Sequence, residues 1–551
     1  MSNRLGHCGQ AIRRRPAIWT RLVAYLWLWV MFTLLLTSAL QKSPTMDEDN
    51  HLTRGLALWR TGDPRLSLDH PPLINALAAI PLVLDPQAQI PLDSAAWRDA
   101  DWYALADAVV WGRGPAADTM IQASRLPIML LALLLGAFIY RWANEMHGPG
   151  AALLALTLYT FDPNILAHAR LNTNDLGVTL LVFLSGYAVW RWLAQTPTVR
   201  STLLAGFFIG LALGSKYLAA IFVLFYGLLM LIQRQARGRG WRRWGRRPGW
   251  LAMMAASAAL TLWAVYGFAL DTLWIGADTR WPLGLYLRGV VNAIGQASAG
   301  RASFLLGQSA NGFWTYFPVA FLVKTPLPTL LLLAGAGWLT LRQRSFSHEA
   351  LLLLPCLGYF MVLVLSSFNL GYRHLLPMLP FLFVYISKTA VWPGTGPRFR
   401  QALIWLTPAW LIVASLLIWP HYLAYFNEAV GGPRNGYKIL VDSNIDWGQD
   451  LLGLRQYLAR EGIQHVRLSY FGPERPDYLG IAVEPLPGLP PESDLWQHPP
   501  FEPQNPEPGV YAISVTNLQE LFFVEKQTYA WFRARQPDAR IGYSIHVYHV
   551  K

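Results

Sequence analysis

The sequence predicts an all-α polytopic membrane protein with about 11 transmembrane helices and a small C-terminal extracytoplasmic α/β domain. Three observations predict it. Hydrophobic residues make up 54% of the chain and charged residues only 14%. The apolar residues come in unbroken blocks rather than in stripes of helical or strand period, and each long block matches the roughly 30 Å of a bilayer's hydrocarbon core. The tail beyond Pro420 instead alternates polar runs with strand-like ones. Backbone polar groups in hydrocarbon must be satisfied internally, so the blocks are read as helices.

In chain order the expected spans are 22–40, 126–140, 150–161, 176–190, 202–213, 217–232, 250–270, 326–341, 350–368, 375–386 and 402–420. The first is too long for a signal-peptide core and lacks a small-x-small cleavage site, so it is expected to remain as an anchor. Blocks 150–161 and 202–213 are short enough to be re-entrant or tilted. These spans group as a membrane domain, 1–420, with a large outer loop at 41–125, followed by a tail domain at 421–551.

Orientation follows from the basic residues. Arg13, Arg14 and Arg15 precede the first span, and parity places 191–200, the Arg-rich 234–247, Arg342–Arg344, Arg398 and Arg400 on the same side. Short basic loops mark the cytoplasmic face, so the N-terminus is expected inside a plasma (inner) membrane. Loops 41–125 and 271–325 and the tail are then outside. The formal charge of +13 is thus accounted for by topology, and nucleic acid is not an expected partner. Cys8 lies in the basic leader and Cys356 in an apolar block, which excludes CxxC chemistry and predicts no disulfide.

Within the outer loop, 73–84 is apolar but too short to span. It is expected in the interface, with Trp97, Trp102 and Trp111 at headgroup level. In the tail, Leu451, Leu454 and Leu458 share one face of a predicted helix at 450–460. Strands are expected at 465–471, 510–515 and 541–550, a second helix near 520–535, and a loop through the Pro-rich 473–508.

The chemistry-bearing residues cluster at outer ends. Asp47, Glu48, Asp49 and His51 follow the first span. Three acids in a row are costly to desolvate, although Asp47 would also serve as a helix cap. Asp69-His70-Pro71-Pro72 leads into the interfacial helix; His70 is a candidate proton carrier or metal ligand. Asp162, His168, Arg170 and Asp175 crowd the third outer connection, where Asp175 alone is explained by a helix N-terminus. Lys216, Lys324, Arg373 and His374 sit at outer helix ends, against the positive-inside bias. A cation near hydrocarbon costs up to a few kcal/mol unless paired, so several on one face point to a phosphate ester. Asn427, Glu428, Asp446 and Trp447 form a dense polar set with one aromatic, the composition of a saccharide-binding surface.

The order of these motifs, DE..H, HPPL, HAR..TND, GSKY, KTPLP, GYRHLLP, YFNEAVGGP and DSNIDWGQDL, resembles the membrane glycosyltransferases of the protein O-mannosyltransferase and aminoarabinose-transferase superfamily (glycosyltransferase family 39, GT-C fold). The last motif is similar to a bacterial branch carrying such a tail. The resemblance runs from about Asp47 to the C-terminus. It implies a polyprenyl-phosphate sugar donor, an outward-facing site and inversion at the anomeric carbon. It makes Asp47, with Glu48 beside it, the catalytic carboxylate. The second acid is Asp175 or Asp162. Lys216, Arg373, His374 and Lys324 are implied for the leaving phosphate, and His70, Asp162, His168, Arg170, Asn427, Glu428, Asp446 and Trp447 for sugar or acceptor. Glu48, His51, His70 and His168 leave a divalent metal open. No β-trefoil domain is evident, so the acceptor is left as glycan, lipid or protein. The competing class is a transporter or flippase of lipid-linked saccharide. It would carry polar, broken segments at the bilayer midplane, whereas the span centres here are nearly free of ionisable residues.

Overall fold

The computed structural model describes residues 18–113, 116–236, 247–273, 279–343, 346–391, 397–488 and 501–551. Arg13–Arg15, the core of the Arg-rich connection at 237–246, Arg344 and part of the Pro-rich stretch, 489–500, lie outside the described residues, as do the side chains of Arg234, Arg247, Arg398 and Arg400.

Each predicted block is helical over most of its length: Ile18–Ala39, Ala116–His147, Pro149–Thr160, Asn174–Ala194, Val199–Leu213, Ala219–Ala236, Arg247–Val265, Leu327–Gln343, Phe346–Leu365, Leu379–Ile386 and Pro397–Ile418. The block expected to 270 stops at Val265, the one expected to 368 stops at Leu365, and 375–378 is a 3-10 turn. Among the described residues, 4 helices are long and apolar enough to cross a membrane, or up to 6 if each bent pair is one span. The shortness of block 150–161 now has a cause. Pro149–Thr160 is followed, at a bend of 62°, by Pro163–Ala169. Asp162 caps the second piece by accepting from the N–H groups of Asn164 (2.9 Å) and Ile165 (3.0 Å), with Pro163 at its first position. Tyr316–Lys324 and Leu327–Gln343 meet at 110°, where Pro326 supplies no N–H and restricts Thr325.

The bundle is held by close backbone approach and aromatic packing. A Cβ on Gly206 would run into Met254 O and the Ser257 side chain, and one on Gly210 into Ala258 O and Thr261. These glycines seat Val199–Leu213 against Arg247–Val265, as small residues do where helices associate in lipid. Trp142 is fully buried among Phe183, Tyr187, Trp190 and Phe381, with ring centroids 5.0 to 5.8 Å away.

The outer loop carries helices Glu48–Thr61, Leu73–Val83, Ala95–Arg98 and Trp102–Val110. Leu73–Val83 packs between Glu48–Thr61 and the bundle helices. Trp97 and Trp111 are buried in the loop's own core with Leu52, Leu56 and Val109. That corrects the expected headgroup placement: the loop contains enough apolar surface to bury these rings itself. Only Trp102 remains half-exposed, beneath the Arg54 guanidinium at 4.7 Å.

The second outer loop forms hairpins β1 (Leu270–Thr272) with β2 (Arg280–Pro282) and β3 (Ala302–Leu305) with β4 (Gln308–Asn311), joined by helix Gly284–Ala299. The tail contains β5 (Val466–Ser469), β6 (Val483–Pro485), β7 (Gly509–Ser514), β8 (Ala539–Ile541) and β9 (Ile545–Val550), in the order β6-β5-β7-β9-β8. β5 is parallel to both neighbours; the other pairs are antiparallel. Leu451, Leu454 and Leu458 of helix Leu451–Glu461 pack in one cluster with Val466, Leu468, Ala512 and Val547 of this sheet, as their spacing predicts. Three readings change. β6 lies inside the predicted Pro-rich loop. The strand expected over 541–550 breaks at a turn on Gly542, φ +58°. The helix expected near 520–535 is reduced to Val515–Leu518 and Ala530–Arg533. Between these, Glu520 has φ +53°, and its carboxylate accepts from Tyr529 N–H (2.5 Å) and pairs with Arg533 (2.8 Å), a side-chain capped turn in place of helix bonds.

Candidate active site

Four charged groups from four separate elements meet at one end of the bundle, the end expected outside. Asp47 precedes helix Glu48–Thr61 as its N-cap. Asp175 lies in the first turn of Asn174–Ala194. Lys216 follows Val199–Leu213, and Arg373 lies in the 3-10 turn Tyr372–Met378. Arg373 Nη1 stands 3.2 Å from Asp47 Oδ2 and 3.7 Å from Asp175 Oδ2. Lys216 Nζ donates to Asp175 Oδ1 at 2.6 Å. The result is an alternating chain, Asp47–Arg373–Asp175–Lys216. Asp175 is 2% exposed and Asp47 33%, so the first acid is sealed by its cations and the second faces out. Trp447 lies flat against this chain, its ring 4.3 Å from the Arg373 guanidinium.

A cleft opens beside it. Asp175, Lys216, Arg373 and His374 line it together with apolar residues that include Val178 and Phe222. Its lining thus sets charged side chains against apolar ones.

His51 and His70 lie together near these charges, with rings 5.6 Å apart. His51 Nδ1 bonds Asn75 Oδ1 at 3.0 Å. Burial lowers the His51 pKa to about 4. Burial, with His51, Lys216 and Arg54 nearby, holds His70 well below its ordinary value. Both imidazoles are therefore neutral at pH 7 and act as hydrogen-bonding groups rather than cations.

Several predicted residues are engaged elsewhere. Glu48 is fully buried and paired two-fold with Arg125, at 2.8 Å (Nε–Oε1) and 2.7 Å (Nη2–Oε2). It also accepts from the N–H groups of Thr45 (2.8 Å) and Asn172 (2.9 Å). Burial alone would raise its pKa, but Arg125 and these donors hold it below the usual carboxylate range. Glu48 is thus a structural strut with its lone pairs occupied, which corrects its expected catalytic place. Lys324 donates to Leu423 O at 3.0 Å and to Asn444 O, and sits 4.7 Å over Phe426; its ammonium ties the tail to the bundle. Asp162 caps the helix through Oδ1, while its buried Oδ2 finds no hydrogen-bond partner. Arg170 is buried and donates to Ser38 O (3.0 Å), while its Nε and Nη2 find no partner. Asn427 donates to Leu322 O (2.6 Å) and Thr325 O (2.9 Å), closing the 110° bend. Glu428 is exposed and accepts from Trp410 (3.1 Å). Asp446 accepts from Thr516 N–H at 2.9 Å. His168 stays near the site, its ring 6.4 Å from that of Trp447. Among the described residues no group of three or more His, Cys, Asp or Glu is placed to hold a metal ion.

Sequence reasoning missed Arg125 and Lys42. Lys42 forms a buried ion pair with Asp450. Both are cations at the outer ends of apolar blocks, the same signal that singled out Lys216.

Fold and site together define a helical membrane protein that carries interleaved carboxylates and cations beside an apolar cleft at one end of its bundle. Residues 117–266 match the family model described as dolichyl-phosphate-mannose-protein mannosyltransferase. That stretch contains Asp175 and Lys216, and the match agrees with the resemblance drawn from the motifs. Among solved structures, the chain is similar to ArnT from Cupriavidus metallidurans bound to undecaprenyl phosphate, at 12% identity and TM-score 0.49, covering 96% of this chain and 98% of that one. It is also similar to the archaeal oligosaccharyltransferase AglB from Archaeoglobus fulgidus in complex with an inhibitory peptide and a dolichol-phosphate, at 14% identity and TM-score 0.42, covering 71% and 56%. No curated protein matches.

Proposed function

We propose that the chain is a membrane glycosyltransferase of GT-C type that moves a sugar from a polyprenyl-phosphate donor to an acceptor hydroxyl on the extracytoplasmic side of the plasma membrane. The observation that carries this reading is Arg373 standing between Asp47 and Asp175 at the rim of an apolar cleft. The prenyl chain lies along the cleft wall, and its phosphate meets Arg373 and Lys216. The acceptor oxygen attacks the anomeric carbon from the opposite face while the carbon–oxygen bond to phosphate breaks, and the electron pair leaves with the phosphate. The acceptor's proton passes to Asp47, the more exposed acid. Charge developing on the phosphate is met by cations already in place where water is scarce, so little reorganisation is needed. Asp175 keeps Lys216 and Arg373 paired until the donor arrives. Glycan, lipid and protein acceptors all present the required hydroxyl.

A flippase would use the two helix breaks as its binding points. Here Lys324 is held by carbonyls and Asp162 Oδ1 by its cap, which favours the enzyme. The test is sugar transfer from defined polyprenyl-phosphate sugars by the purified protein in lipid. Asp47→Asn is expected to lower kcat by about 10²–10⁴-fold with an unchanged melting temperature. Full activity in that variant removes Asp47 from the mechanism.

A further inference from the structure

We propose that tail segment 442–450 is a positioning clamp that sets Asp47 and Arg373 against each other, with Trp447 and Asn444 as its positioning residues. This rests on the transferase reading for its consequence, but its geometry stands independently.

The two charged groups are 326 residues apart in sequence, and one short segment grips the backbone beside each. On the Asp47 side, the N–H of Ser43 donates to Gln449 O (3.1 Å), and the N–H of Met46, immediately before Asp47, donates to Trp447 O (3.0 Å). Leu452 N–H donates back to Ser43 Oγ at 2.8 Å. The buried Lys42–Asp450 pair, with His421 Nδ1 2.5 Å from the ammonium, pins the same strip. On the Arg373 side, the N–H of Tyr372, immediately before Arg373, donates to Asn444 Oδ1 at 2.9 Å. Ser443 Oγ donates to Leu370 O at 2.7 Å. Gly371, at φ +100°, leaves no room for a Cβ beside Ser443 Oγ. The Trp447 ring then closes the gap by covering the guanidinium itself, a contact that strengthens as water is excluded.

The clamp is itself braced. Gln449 Oε1 accepts from Trp447 N–H and its amide donates to Ile445 O, both at 2.8 Å. Asp446 is held by Thr516, and Gly448 O accepts from Tyr470 O–H at 2.5 Å. A domain that merely needed tethering could be attached anywhere on the outer loops. These contacts fall on the residues adjoining the proposed base and the proposed phosphate cation, where a 1 Å error costs about a hundredfold in rate.

The test pairs amide hydrogen exchange with transfer kinetics on the full-length protein in lipid. Removing the acceptor of Tyr372 N–H, together with the amide's bonds to Tyr316 and Val441, in Asn444→Ala is expected to speed exchange about tenfold over 370–376, with β7 unchanged, and to lower kcat more than it raises KM. Trp447→Ala is expected to lower kcat about a hundredfold, and Trp447→Phe, which keeps a flat ring over Arg373, to restore most of it. Glu484→Gln, at the far edge of the sheet, is the control and leaves both readouts at wild-type values. Wild-type kcat in Asn444→Ala and Trp447→Ala overturns the clamp. So does loss of protection spread evenly through the tail, which is plain fold support. If the wild type transfers no sugar while exchange over 370–376 responds as described, the transferase reading fails and the clamp stands.

Discussion

At the scale of single residues, adjacent acids carry opposite duties. Asp47 is partly open and shares Arg373 with Asp175, whereas Glu48 is sealed onto Arg125. Glu48→Ala strands a buried guanidinium and is expected to cost about 3–5 kcal/mol of stability, read as a large drop in melting temperature. Asp47→Asn is expected to leave melting unchanged and to lower kcat by about 10²–10⁴-fold. An equal melting loss in both variants would erase the distinction. A lone carboxyl's role was legible from sequence only where its partner is local. Arg125 lies 77 residues from Glu48, so no spacing rule joins them. A second residue-scale expectation concerns pH. Burial, reinforced by the like charges of Asp450 and Asp442 and offset by bonds from Thr516, pushes Asp446 up to about 8; burial likewise raises Asp49 and Glu474 to about 7. Such a carboxyl stays protonated in the folded chain while the unfolded chain ionises near pH 4, so unfolding releases a proton. The stability it contributes is complete below pH 4 and lost as pH rises through 8. Melting temperature is therefore expected to fall from pH 5 to pH 8.5, with a shallower slope in Asp446→Asn. An identical slope in that variant would show that Asp446 does not titrate in this window.

At the scale of elements, apolar blocks were readable because bilayer thickness fixes their length, and the tail helix because its leucines repeat on one face. The outer loop was harder. Nothing in a 73–84 apolar run distinguishes an interfacial helix from one packed on protein. The packing partner is betrayed only by Gly55, where a Cβ would collide with Asn75 O. Helix Glu48–Thr61 therefore rides directly on the backbone of Leu73–Val83, and this contact helps fix the entry of Asp47. Gly55→Ala gains helix propensity but overpacks the contact. The net expectation is a loss of about 1–3 kcal/mol together with reduced transfer, since the whole helix must move. A variant that melts higher and transfers normally would show that the approach is not tight. Likewise the short second helix of the tail was not foreseeable. Its sequence permits helix, and the Glu520 carboxylate, by binding Tyr529 and Arg533 across the turn, overrides it.

At the scale of the whole molecule, the charges sort to two ends, and the sorting makes the topology testable. Helix Asn174–Ala194 begins with Asp175 at the site and carries Arg191 in its last turn. Val199–Leu213 begins beside exposed Arg200 and returns to Lys216 at the site. Leu327–Gln343 starts next to Lys324 and ends with Arg342. The same end that holds Arg191 and Arg342 also holds the His147–Ser387 bond (3.0 Å) and the buried Lys388–Glu349 pair (2.8 Å). By the positive-inside rule the Arg191, Arg200 and Arg342 end is expected in the cytoplasm, and the site, with the tail bonded to it, is expected outside. Gln195 and Gln504 are both exposed and remove no positive charge when changed. With Cys8 replaced by serine and Cys356 buried, Gln504→Cys is expected to react with a membrane-impermeant maleimide on intact cells. Gln195→Cys is expected to react only after permeabilisation. The reverse pattern would turn the molecule over in the membrane and place Asp47, Arg373 and their cleft on the cytoplasmic leaflet, where an extracytoplasmic acceptor never meets them.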